Sequence, residues 1–420
     1  MGSLTSPRAV KGFADLFEPQ SALFTSMENT ARRVFGMYGY KELRLPLLEY
    51  ADLFARAIGE ETDVVQKEMF TFPDRKGRLL SLRPEATAGI LRACAEGGLF
   101  RRESLSKVFS CGPMFRYERP QKGRSRQFHQ LDCECVGAGE PQADAEIILM
   151  LLHFLREMGI RDLVLDLNTL GCRACRPAYT RALTAFLRTL PPDHLCENCR
   201  RRIQTNPLRV LDCKEPSCRS LLRDAPLIAE YICPDCAGHF SDVRALLEDQ
   251  GAACNLNPRL VRGLDYYCRT AFELVSSAIG AQGAVAGGGR YDGLVAQLGG
   301  PDLPGIGFAC GMERLALLLA GSGQEQGRPD FFIAAPKAAG TALSLAQTLR
   351  EAGLSGEAAF SDGSLKSQMR QASRNRARFC LIIGEEELAR GTVMIRDMDK
   401  ATQQPLPRTD LPSWAAERRA

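Results

Sequence analysis

The sequence predicts an α+β protein: an antiparallel β-sheet flanked by helices, interrupted by a cysteine-rich insertion and followed by a C-terminal α/β domain. Three observations carry this. In residues 107–134 two strand-like runs flank a polar, basic loop at 120–125, whose Pro120 and Gly123 mark a turn between antiparallel strands. Four cysteine pairs fall between residues 172 and 236. Beyond a Gly- and Gln-rich stretch, strand and helix patterns alternate, as layered α/β folds require. The expected division is a core in two parts, 1–171 and 251–321, an insertion at 172–250, a linker at 322–329 and a last domain at 330–420.

A chain of 420 residues is long enough for about two or three domains with real cores. Hydrophobic content of 45% and charged content of 25% are those of an ordinary globular protein. A net charge of +4 neither argues for nor excludes a nucleic-acid partner. No run of about 18 apolar residues occurs, so no membrane span is expected. The first residues lack the apolar segment of a secretion signal, so sixteen cysteines read as thiols in a reducing, cytoplasmic setting.

In order, Leu23, Met27, Ala31 and Val34 recur at helical spacing in 20–38. Residues 39–46 read as a strand ended by Pro46. A hairpin, 70–74 and 79–82, turns through Arg75-Lys76-Gly77. A helix over 88–95 follows, with Thr87 as its cap. Glu85 is free to face a pocket, or is simply a carboxylate favoured by the helix dipole. In the central hairpin, alternation groups Arg116 with Glu118 on one strand, and Phe128, Gln130, Asp132 and Glu134 on the other. If these sets share a face, an arginine can fork onto a phosphate, Phe128 can stack on a purine, and Gln130 and Glu134 can hold a small polar molecule. A solvated hairpin is the plain alternative. His129 points to the opposite face and is left out of the chemistry.

A helix over 144–158 and a strand over 162–170 lead into the cysteines. The pairs are Cys172 with Cys175, Cys196 with Cys199, Cys213 with Cys218, and Cys233 with Cys236. A two-residue gap lets both sulfurs of a knuckle reach one tetrahedral ion. Eight thiolates fill two four-cysteine sites in any of three groupings, giving one or two structural zinc ions; free thiols are the alternative. A strand over 270–275 leaves a turn at Gly263, and Arg314 stands in the first turn of a helix over 312–320. The last domain alternates strands at 330–335, 358–361, 379–383 and 392–396 with helices at 342–352 and 365–375. Lys366, Arg370, Arg374, Arg376 and Arg378 cluster there, either to meet RNA phosphates or as a solvated face. After Met398 an irregular ending is expected, pinned by Trp414.

These stretches also carry a resemblance. FRYER, a basic loop and then RQFHQLDCE resemble motif 2 of the class II aminoacyl-tRNA synthetases, and more narrowly the histidyl-tRNA synthetase family. Residues 39–46 resemble motif 1, 83–87 match the family's Arg-Pro-Glu-x-Thr, and 260–273 match the first histidine motif almost residue for residue. Residues 286–294 resemble the second histidine motif, 305–315 resemble motif 3, 202–212 resemble the family's insertion, and the last domain is similar to its anticodon-binding domain.

The resemblance implies a class II synthetase-like sheet and ligation of histidine to tRNA(His) through an adenylate. It assigns Arg262 and Arg116 to the reacting carboxylate and α-phosphate, and Arg116, Glu118, Phe128 and Arg314 to ATP. Glu85 and Thr87 would hold the amino group of histidine. Gln130, Glu134, Tyr266 and Tyr267 would hold its body, with Glu134 and Tyr267 serving the ring nitrogens and Tyr266 as a wall. Gln121 and Arg124 would meet the tRNA acceptor end. Mg²⁺, a homodimer built through motif 1 and a cytoplasmic location are also implied; zinc is not. The alternative is a catalytically silent, histidine-sensing regulatory subunit of ATP phosphoribosyltransferase. Such a paralogue is expected to lose the ATP-binding arginines and the anticodon domain, both of which this chain has.

Overall fold

The computed structural model describes residues 7–320, 328–360 and 363–418. The chain divides into two compact units, Met1–Gly323 and Gln324–Ala420. The linker expected at 322–329 lies mostly outside the described residues.

In the first unit the strands are β1 (Lys41–Glu42), β2 (Leu48–Tyr50), β3 (Phe70–Pro73), β4 (Leu79–Leu82), β5 (Ser106–Phe115), β6 (Gln127–Val136), β7 (Val164–Thr169), β8 (Cys254–Leu256), β9 (Cys268–Val275), β10 (Ala284–Arg290) and β11 (Gly305–Gly311). Eight form one sheet in the order β1-β5-β6-β11-β10-β9-β7-β8. The six interior strands are antiparallel; the outer pairs β1·β5 and β7·β8 are parallel. The central hairpin pairs from Ser106↔Val136 to Phe115↔Gln127.

Alternation then sorts the faces. Leu131, Cys133 and Cys135 of β6 join a core with helices Gln20–Met37 and Pro141–Glu157, through Met27, Val34, Phe35, Ile148, Leu151 and Phe154. Burying each such side chain contributes about 1.5–3 kcal/mol. Gln130, Asp132 and Glu134 are left on the opposite face, where a cleft forms.

The strand expected at 39–46 is shorter than its pattern suggests. Only β1 pairs with β5, and Leu43 adds one bond to the Phe109 carbonyl at 2.7 Å. The chain then leaves the sheet, because Pro46 has no N–H and Arg83 takes the carbonyls of Leu45 and Leu47. Residues 48–50 pair instead in a small sheet, β2-β4-β3.

The second unit holds β12 (Phe331–Ala334), β13 (Gly356–Ala358), β14 (Phe379–Ile382), β15 (Thr392–Asp397) and β16 (Gln403–Pro407), in the order β13-β12-β14-β15-β16. The expected α/β layering is present, with Phe331, Ile333, Leu349, Leu381 and Val393 in its core. The irregular ending expected after Met398 is wrong: β16 pairs antiparallel with β15 and helix Leu411–Ala416 follows. Pro405 and Pro407 disguise this strand, and they are tolerated because it lies at the sheet edge. Trp414 does pin it, at 5% exposure. The expected strand at 358–361 ends at Ala358, and Ser361 lies outside the described residues. The five clustered basic residues are all exposed.

Candidate active site

One cleft gathers Arg116, Arg262 and Arg314. Strand order makes this possible: β6, β11, β10 and β9 are adjacent, so the hairpin, the glycine-rich strands and the strand after Tyr267 share one face. Arg116 is steered by its Nε, which donates to the Pro84 carbonyl at 2.8 Å, and lies 5.5 Å from the centre of the Phe128 ring. Arg262 pairs with Glu273 at 3.2 Å and sits 5.3 Å from the Tyr267 ring. A side chain at Gly287 would overlap its Nη1, so glycine there is what admits the guanidinium. Arg314 Nη1 donates to the Ala284 carbonyl. Burial and the nearby Arg124 both oppose the positive charge of Arg314, a tension that a polyanion would relieve.

Buried acids accompany the arginines in and beneath the cleft. Glu85, Asp132 and Glu134 are each at most 4% exposed. Burial pushes all three carboxyls up, and repulsion from neighbouring carboxylates adds to it at Asp132 and Glu134; Glu134 rises to about 8 although Thr87 and Tyr291 both bond it. Thr87 Oγ1 donates to Glu134 Oε1 and the Tyr291 hydroxyl to Oε2, each at 2.6 Å. Glu134 therefore lies beneath the cleft wall rather than on it. A side chain at Gly307, its partner on β11, would collide with its carboxylate.

Thr87 is not the helix cap that its position suggested. Helix Thr87–Glu96 is capped by Glu85, whose two oxygens accept the N–H groups of Thr87 and Ala88 at 3.0 and 2.9 Å. Both sequence readings of Glu85 hold together, since it serves the helix start and lines the cleft. The Tyr266 hydroxyl reaches Glu85 at 3.5 Å, and the Tyr266 and Tyr267 rings lie 4.6 Å apart. Gln130 Oε1 and Asp132 Oδ2 are buried without a hydrogen-bond partner among the described residues. Such orphaned acceptors facing a cleft fit a donor brought by a ligand.

Among the other expected residues, Glu118, Arg124 and Phe128 line the cleft, with Arg124 bonded to Glu118 at 3.0 Å. Gln121 does not line it; it closes an exposed turn with Arg124. His129 faces away, bonded to Glu313 at 2.9 Å and packed edge-on to Phe24. Sequence reasoning missed Glu273, Tyr291, Asp63, Arg202, Arg209 and Asp212, of which all but Tyr291 line the cleft. Alternation could have found Glu273, since Phe272 and Leu274 belong to the core. No local signal marks the others.

The cysteines fall into two groups, Cys172, Cys175, Cys233 and Cys236, and Cys196, Cys199, Cys213 and Cys218. One of the three groupings left open by the spacing is thus selected.

Comparisons agree with this geometry. Residues 12–315 match the family described as Histidyl-tRNA synthetase, and residues 328–418 match an Anticodon binding domain. The chain is 58% identical over 417 residues to the "Histidine--tRNA ligase" of Oleidesulfovibrio alaskensis, spanning 99% of this chain and 100% of that one. It is 59% identical over 401 residues to that of Nitratidesulfovibrio vulgaris, spanning 95% and 96%. The solved structure of apo S. aureus histidyl-tRNA synthetase superposes with a TM-score of 0.81 at 32% identity, covering 98% of this chain and all of that one. With its arginine-lined cleft, its strand order and its full-length kinship, the chain belongs to the histidyl-tRNA synthetase family.

Proposed function

We infer that the chain ligates histidine to tRNA(His) in two steps: activation by ATP to histidyl-adenylate, then transfer to the 3′ end of the tRNA. The observation that carries this is the convergence of Arg116, Arg262 and Arg314, from three separated segments, on one cleft that Glu85 and Asp132 also line. In the first step the histidine carboxylate attacks the α-phosphorus in line and pyrophosphate leaves. Positioning and charge stabilisation dominate such a transfer. Arg116 and Arg262 steady charge at the α-phosphate, Arg314 holds the far phosphate, and Phe128 stacks on the purine. In the second step the terminal ribose hydroxyl attacks the adenylate carbonyl and AMP leaves.

Glu85 Oε1 gives one lone pair to the Ala88 N–H and keeps one for the ammonium group, while Oε2 takes both the Thr87 N–H and the Tyr266 hydroxyl. Thr87, donating to Glu134, keeps its oxygen as an acceptor for the same group. Gln130 and Tyr267 serve the polar atoms of histidine, Glu134 acts on them from beneath the wall through Thr87 and Tyr291, and Tyr266 walls the ring. Glu118 and Glu273, which line the cleft, would hold a Mg²⁺ bound with the nucleotide, and the ion would supply neutralisation of phosphate charge. Gln121 and Arg124 meet the acceptor end, and residues 330–420 the anticodon.

We further propose a five-part division at the boundaries expected from sequence, a structural zinc in the cysteine-rich part, a cytoplasmic location and a homodimer. All sixteen cysteines are free, in keeping with a reducing setting. Leu48, Tyr50 and Phe72 are exposed on one face of the small sheet, an apolar surface that a second copy would cover. The silent regulatory reading is disfavoured, since the three arginines and the C-terminal unit are retained. The test is exchange of labelled pyrophosphate into ATP. Exchange that requires histidine is expected; none, with folded protein, overturns the reading.

A further inference from the structure

We propose that the insertion holds two zinc ions at separate four-cysteine sites, one clasping its neck and the other fixing the wall it presents to the cleft. At the neck, Cys172 and Cys175 follow β7, while Cys233 and Cys236 open the helix Pro234–Asp249 that returns to the core. Cys175 Sγ lies 3.4 Å from Cys172 Sγ and 3.9 Å from Cys236 Sγ. It also accepts the Cys233 N–H at 3.2 Å, across 58 residues of sequence. At the tip, Cys196 Sγ lies 3.8 Å from Cys213 Sγ, and Cys218 Sγ accepts the Cys196 N–H at 3.2 Å. Within each group all four sulfurs lie within 4.8 Å of one another.

Four sulfurs about 2.3 Å from a tetrahedral ion stand roughly 3.8 Å apart, the spacing seen here. A disulfide needs sulfurs about 2.05 Å apart. A four-iron cluster would separate its cysteines further, because a metal cube stands between them. Four thiols turned inward have only weak S–H···S contacts with one another; a dication that displaces four protons gives every sulfur a strong partner. Four protein ligands leave no open position, so neither ion activates water.

The two sites do different work. The neck ion closes the long loop between Cys175 and Cys233, at the point where Gly171 accepts the Arg269 N–H at 2.8 Å and Arg176 donates to the Asp265 carbonyl at 3.2 Å. The tip ion anchors helix Glu197–Thr205, which starts at Cys196 and sends Arg201 and Arg202 to the two oxygens of Asp63 at 2.7 and 2.6 Å. Asp212, beside Cys213, lines the cleft, and Arg209 donates to the Arg262 carbonyl at 3.1 Å. The tip ion's effect on the cleft rests on the catalytic reading of Arg262; the metal count does not.

Elemental analysis of the purified full chain is expected to find two zinc ions per chain. One zinc per chain or fewer, or iron in its place, overturns the proposal. The pairs Cys172→Ser with Cys236→Ser and Cys199→Ser with Cys218→Ser should each retain one zinc; loss of both ions from either pair overturns independent sites. The neck pair should open residues 176–232 to protease. The tip pair should lower kcat/KM for pyrophosphate exchange about tenfold, since small misplacements of catalytic groups are costly; an unchanged value overturns the tip's role. If the variants fail to fold, mercurial titration of the native protein still decides: eight thiols should be modified in step with the release of two zinc ions, and release of none overturns the proposal. Two bound zinc ions with no exchange in the unsubstituted protein would sink the catalytic reading alone.

Discussion

Substituting Glu134→Gln removes the buried acid beneath the histidine end of the cleft while keeping its shape. The folded protein holds this carboxyl protonated up to about 8, whereas the ordinary value is 4.5. Burial is the cause, and it outweighs the two hydroxyl bonds from Thr87 and Tyr291. Between those values the folded state binds more protons than the unfolded state, so stability falls as pH rises. The contribution is complete below about 4.5 and is lost as pH climbs through about 8. At about 1.4 kcal/mol per tenfold in proton affinity, the loss is at most roughly 5 kcal/mol. Relaxation of the site and sharing of protons with Asp132 and Glu85 reduce it, so a difference between the two proteins of at least about 1.5 kcal/mol is expected. Glutamine has nothing to ionise there, and both hydroxyls can turn to suit its amide. The assay is urea denaturation of both proteins, without ligands, at pH 5.5 and pH 8. The unsubstituted chain should lose more stability over that interval than the variant. Parallel losses in the two proteins would refute the account of Glu134.

Two further substitutions probe the phosphate end. Arg262→Ala should slow histidine-dependent pyrophosphate exchange at least about tenfold, and commonly about 10²-fold, because a transition-state donor is removed; a rate within about threefold of the unsubstituted chain, measured at saturating histidine and ATP, would exclude that role. Gly287→Ala should produce a loss of similar size with Arg262 still present, because the new methyl group occupies the space of its Nη1. Unaltered exchange, in protein whose circular dichroism is also unaltered, would show that Arg262 need not lie where it does.

Local order was readable along the chain. Alternation alone put Gln130, Asp132 and Glu134 on one side of a strand and His129 on the other, because that period follows from backbone geometry. It misled at 39–46 and after Met398, where prolines and distant acceptors decide which backbone groups pair. Cysteine spacing marked four knuckles, but their grouping depends on how the insertion folds back on its neck. The local sequence leaves Glu85 either facing a pocket or serving a helix, and in the tertiary structure it does both.

By itself, then, the sequence determined the class of fold, the order of its motifs and the facing of individual strands, since these rest on short-range periodicity and residue chemistry. Only the tertiary structure decided which distant residues meet. Asp63, Arg202, Arg209 and Glu273 join Arg262 through a sheet whose neighbours are not consecutive in the chain and an insertion folded over it. Such contacts arise from long-range burial and ion pairing, which leave no periodic trace in the residues that make them.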